Sequence, residues 1–150
     1  MKPFTKLMLH HSLTKDGKTV SVPAIRRYHI QTMGMVMEGY HGFVELAGDD
    51  YEAILGRPLN WIDAEGHRGA ACPQGDMNKV AIHICLIGNF DMQPPPPRQI
   101  EVFREKFWLP WADMFGLTPA DIVFHGSSHP GSRAQGSHSP EPIWLSSLRG

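Results

Sequence analysis

The sequence predicts an α/β or α+β domain, and three observations carry that expectation. The run AIHICLI at residues 81–87 is apolar, rich in β-branched residues, broken only by His83 and closed by Gly88-Asn89, so it reads as a strand covered on both faces. A strand buried on both sides needs layers of structure above and below it. One such layer is predicted by Ile100, Phe103 and Phe107, spaced as a single buried helical stripe. At 150 residues the chain has the size of one domain, residues 1–150, large enough to bury a single core without staples.

In chain order, LML at residues 7–9 predicts a short strand that stops in His10 and His11, placing imidazoles at a sheet edge where a metal or a substrate reaches them. Residues 14–21 read as a polar loop turning at Asp16-Gly17. Val22-Pro23 opens a helix, with proline in the first turn, where its missing donor costs nothing. Ile25, Tyr28, His29 and Thr32 share one face of that helix, so His29 is expected to pack. From Gly39 the pattern turns to β: residues 40–46 and 51–55 predict a hairpin with Gly48-Asp49-Asp50 as its turn, longer than the tightest two-residue kind. Residues 60–78 hold glycines, a proline and no usable period, which predicts a long functional loop across one face.

Beyond the central strand, the prolines at 94–97 predict a stiff connection into the helix of Ile100, Phe103 and Phe107. Pro110 is expected to kink or break that helix, with residues 111–115 continuing as a second piece that stops at Gly116. Thr118-Pro119-Ala120-Asp121 turns into a third apolar strand, residues 122–124, and this one also ends in a histidine, His125. The Gly/Ser/Pro-rich tail, residues 126–142, carries His129, Arg133 and His138, and Trp144, Leu145 and Leu148 are expected to tuck back onto the core.

Composition narrows the function. The net charge is −1 and the basic residues are scattered, which is no electrostatic footprint for nucleic acid. Cys72 and Cys85 read as free thiols in a reducing compartment. The apolar run at the start is too short for a signal-peptide core and no stretch approaches a membrane span, so synthesis in the cytoplasm is expected. Nine histidines are many for this length, and two strands that each end in histidine form a ligand arrangement if they share a sheet edge.

The order LMLHHS, AIRRYH, GYHGFVEL, ILGRP, AIHICLIGNFD and IVFHG, followed by a Gly/Ser loop and SPEP, resembles the zinc-dependent N-acetylmuramoyl-L-alanine amidases of type 2. That family includes small phage endolysins and the animal peptidoglycan recognition proteins, and the resemblance runs from residue 7 to residue 144. It implies a mixed β-sheet of about five or six strands flanked by helices. It also implies Zn2+ as cofactor, peptidoglycan or muropeptide as partner, and hydrolysis of the amide bond between N-acetylmuramic acid and L-alanine by a phage or prophage lysin. Release to the cell wall would then follow a holin-type route.

Residue by residue, the resemblance makes His10 the first zinc ligand, His125 the second and Tyr40 the catalytic tyrosine. The chemistry is coherent: amide hydrolysis needs a polarised carbonyl and a hydroxide at neutral pH, which zinc supplies, and a phenol beside it donates to the oxygen as charge builds. The family places Cys or Asp before Pro-Gly as third ligand, whereas this chain reads Ser139-Pro140-Glu141, and a neutral serine is a poor zinc ligand. His138 next door is the replacement, with His129 the other candidate. A lysine is common two residues before that ligand; Gly136 or Ser137 stands there, and Arg133 is expected to reach in its place, although a guanidinium is not an equivalent point charge. His67 of the long loop joins Arg133 as a substrate-binding candidate, and His83 stands where the family prefers glycine. A relative that binds muropeptide without turnover is the second reading.

Overall fold

The computed structural model describes residues 3–12, 22–34, 37–71, 76–90 and 93–125. The expectations for the loop at 14–21, for Cys72 and for the tail with His129, Arg133, His138 and Ser139 lie outside the described residues.

Among the described residues, five strands form one mixed sheet: β1 (Lys6–His11), β2 (Gly42–Ala47), β3 (Asp50–Leu55), β4 (Ala81–Leu86) and β5 (Ile122–Phe124), in the order β3-β2-β4-β1-β5. The run at residues 81–87 is the central strand, and every residue of β4 is buried. β1 lies parallel to β4 and to β5, β2 lies parallel to β4, and only the edge strand β3 is antiparallel to its neighbour. Parallel strands need crossovers, and helices supply them: α1 (Val22–Arg27), the four-residue α2 (Met77–Val80), α3 (Pro97–Phe103) and α4 (Leu109–Phe115).

Side chains alternate across a strand, so register decides what each face carries. Leu7, Leu9, Val44, Ile82, Ile84, Leu86 and Ile122 share one face and pack against Val102, Phe103, Phe107 and Trp108, the main core. The opposite face carries Met8, His10, Phe43, His83, Cys85 and Val123, with α1 covering one end of it through Val22 against Phe43 and Cys85. One face is therefore mostly hydrocarbon, with His11 at its edge beside Leu86, and the other presents the His10 and His83 imidazoles.

Two local expectations are corrected. The hairpin uses the tightest turn after all: Ala47 pairs with Asp50, leaving Gly48-Asp49 as a two-residue loop with Gly48 at φ 72°. Asp50 belongs to the ladder, where Arg98 of α3 reaches its carboxylate at 2.9 Å. Of the two outcomes expected at Pro110, a kink or a break, the break does not occur, and the second piece, α4, stops at Gly116 as expected. A π-helical segment, Arg104–Trp108, joins α3 to α4, and Trp108 and Leu109 keep right-handed helical dihedrals. The wider turn sits just before the proline, where the absent N–H and the ring must be accommodated. Pro97, read as part of the stiff connection, is the first residue of α3.

Candidate active site

β1 and β5 run side by side with Leu9 opposite Phe124, and the His125 N–H donates to the Leu9 carbonyl at 2.8 Å. That register sets His125 beside His10 on the imidazole face, their ring centres 5.1 Å apart. Tyr40 arrives from a different part of the chain, the approach to β2. It is held there by Arg57 N–H donating to the Tyr40 carbonyl (2.8 Å) and by Gly39 N–H donating to His29 Nδ1 (3.1 Å). The Tyr40 ring lies 5.1 Å from that of His10 and 5.6 Å from that of His29. His29, expected only to pack, thus anchors the tyrosine loop.

His10 is buried, and its Nε2 lies 2.8 Å from Nδ1 of His83. The other nitrogen of His83, Nε2, donates to the Met77 carbonyl at 2.9 Å. His41 stacks on His83 with ring centres 5.9 Å apart, accepts the His83 N–H at Nδ1 (2.9 Å) and donates from Nε2 to the Arg68 carbonyl (2.8 Å). Gly69 makes this stack possible, because a Cβ there would stand 2.7 Å from His83 Cδ2 and 3.2 Å from His41 Cε1. His41 and His83 were legible as histidines but not as site residues; the signal was their parity with Phe43 and Cys85, and parity has no meaning until strand neighbours are known.

Electrostatics follow from burial. Desolvation, reinforced by the neighbouring His83 and His125, holds His10 well below the usual histidine range. Burial lowers His125 as well, brings His83 down to about 4 and, with His83 adding to it, His41 down to about 3. Near neutral pH these imidazoles are uncharged and keep the lone pairs that metal ligation requires. Burial pushes the Tyr40 phenol up, with the Cys85 thiol beside its hydroxyl adding to the effect, so it remains a proton donor. Cys85 is a free, buried thiol, also pushed up by burial.

Two imidazoles sharing one tetrahedral ion at about 2.0–2.1 Å would hold their ring centres roughly 5 Å apart, and the pair His10–His125 fits that requirement. Among the described residues no third His, Cys, Asp or Glu completes a ligand trio with them; the convergent trio there is Asp63, Glu65 and His67. His67 faces Asp63 at 3.3 Å, and Asp63 Oδ1 accepts the N–H groups of Glu65 (2.9 Å) and His67 (2.8 Å), the geometry of a loop turn. Tyr40, His10 and His125 are thus brought together, and His67 belongs to a separate group.

A mixed sheet with helices over its apolar face is the architecture of the amidase-like α/β domains, and here the other face presents histidines beside a partly buried tyrosine. The chain belongs to the N-acetylmuramoyl-L-alanine amidase family, whose model matches residues 1–142. Apis mellifera PGRP-SA superposes with a TM-score of 0.65 at 20% identity, over 89% of this chain and 77% of that one. The amidase LysC from Clostridium intestinale URNW gives 0.62 at 21% identity, over 91% and 80%. A variant of Drosophila PGRP-LB in complex with tracheal cytotoxin gives 0.62 at 20%, over 89% and 78%. No curated protein sequence matches the chain.

Proposed function

We propose that this protein is a zinc-dependent amidase that hydrolyses the bond between the lactyl group of N-acetylmuramic acid and the L-alanine of the stem peptide in peptidoglycan, in the manner of a phage or prophage endolysin. The observation that carries the reading is the convergence of His10, His125 and Tyr40, from three separate segments, with both other rings 5.1 Å from that of His10. Membership of the amidase family, and a relative of this fold solved with tracheal cytotoxin, support the substrate class.

His10 and His125 would hold the ion with neutral nitrogens, and His138 is assigned as the third ligand in place of the family's Cys or Asp. Zinc, when bound, supplies a Lewis acid for the scissile carbonyl and lowers the pKa of water. Tyr40, kept protonated by burial, donates its hydroxyl proton toward the carbonyl oxygen as negative charge develops. The low-dielectric setting of that donor raises its worth over the same contact in water. Arg133 and His67 are assigned to the muropeptide.

Two measurements test the reading together: zinc content of protein purified without added metal, and release of stem peptide from purified peptidoglycan. Near one equivalent of zinc with peptide release supports the amidase. Peptidoglycan binding with neither supports a muropeptide-binding module, the alternative that Ser139 in the ligand position favours. Replacing Tyr40 by Phe is expected to lower turnover by about 10²- to 10³-fold with zinc still bound, and unchanged turnover removes Tyr40 from the chemistry.

A further inference from the structure

His83 is wholly buried in the central strand, where a hydrocarbon side chain would cost less, and neither the core nor the proposed chemistry accounts for it. Its hydrogen bonds form a one-way chain. The Met77 carbonyl has lone pairs only, so Nε2 of His83 at 2.9 Å carries the proton. A neutral imidazole has a single N–H, which makes Nδ1 of His83 an acceptor. The nitrogen that faces it at 2.8 Å, Nε2 of His10, must therefore be the donor. A neutral His10 with its proton on Nε2 has one lone pair left, on Nδ1.

We propose that His83 is a positioning residue that locks His10 in the Nε2–H form and so selects Nδ1 of His10 as the atom offered to the metal. This rests on the amidase reading for the metal itself, but the tautomer is a property of the protein alone. The lock is built into the fold at each end. Met77 opens α2, the short helix that leads straight into β4, so its carbonyl stands a fixed six residues from the ring it receives. His83 pairs with Met8, and His10 with Cys85, so the two histidines are diagonal neighbours on one face of adjacent strands. His41 fixes the opposite edge by stacking on the His83 ring and accepting its backbone N–H, and Gly69 leaves the ring its space. An imidazole that bonds a metal-ligating histidine through the ligand's second nitrogen sets both its tautomer and its ring orientation.

Long-range 1H–15N NMR of chelator-treated wild-type protein at neutral pH reads the tautomer directly and needs no variant. His10 is expected in the Nε2–H form, and an Nδ1–H signature overturns the proposal. Zinc affinity, measured by competition with a chromophoric chelator, is expected to weaken about 10- to 100-fold in His83→Leu. His83→Asn, whose Oδ1 takes the place of Nδ1 as acceptor, is expected to restore both the tautomer and most of the affinity. A His83→Leu protein that folds, binds zinc like the wild type and keeps the His10 tautomer overturns the proposal. Failure of wild-type protein to bind zinc overturns the amidase reading instead, while the tautomer of the metal-free protein still reports on His83.

Discussion

Gly69 is the residue on which the imidazole stack depends most directly. An added methyl group would lie 2.7 Å from the His83 ring, in a site walled by His41 and by the Gly39 carbonyl, so neither ring has an easy retreat. Gly69→Ala is expected to destabilise the fold by about 1–3 kcal/mol, the usual range for overpacking, read as a lower urea midpoint at unchanged m-value. A wild-type midpoint would mean that the stack is looser than described. Cys85 offers a second test at this scale. Its thiol is buried beside the Tyr40 hydroxyl and pushed up by desolvation, so almost no thiolate is present at pH 8. Peptide mapping after iodoacetamide treatment is expected to find Cys85 unmodified in native protein and modified in urea; modification at the rate of a free thiol would show that the cover over this face opens readily.

Among the elements, α3 is tied to the sheet by a buried polar side chain as well as by Arg98 on the Asp50 carboxylate of β3. Gln99, fully buried, donates from Nε2 to the carbonyls of Val44 (2.9 Å) and Ile87 (3.0 Å), clamping β2 and β4 where their ladder ends. Its Oε1 has no partner among the described residues, which offsets part of what the two donations contribute. Gln99→Leu is therefore expected to cost about 1–2 kcal/mol rather than the sum of two lost bonds, measured by chemical denaturation. A neutral or stabilising result would show that the clamp only breaks even against hydrocarbon. The elements themselves were legible where the local pattern was strong: the run at 81–87, the stripe of Ile100, Phe103 and Phe107, and the 3-10 turn Pro119–Asp121 leading into β5. They were misread where a tertiary partner intervened. Asp50 looks like a turn residue until it joins the ladder and Arg98 claims its carboxylate.

For the whole molecule, burying neutral histidines makes stability depend on pH in a definite direction. His83 and His41 have folded-state values of about 4 and about 3, against 6.5 when unfolded. Between those limits the unfolded chain binds more protons than the native one, so stability is fully present above 6.5 and is lost as pH falls through the window toward 4 and then 3. Each such histidine contributes a slope of roughly 1.4 kcal/mol per pH unit inside its window. Urea titrations in chelator are expected to show a midpoint at pH 5 well below that at pH 7.5, and equal midpoints would mean that these rings are not desolvated as described. By itself, the sequence determined the sheet-forming runs, the helical stripe and the presence of histidines where two strands end, because those signals are local periodicities that any neighbour leaves intact. Tertiary structure alone decided that His10 and His125 lie side by side, that Tyr40 packs edge-on against His10, and that His83 and His41 belong to the same face. The physical reason is that strand order and register, set by packing between segments far apart in the chain, convert odd and even positions into faces, and no stretch of sequence carries its neighbour's parity.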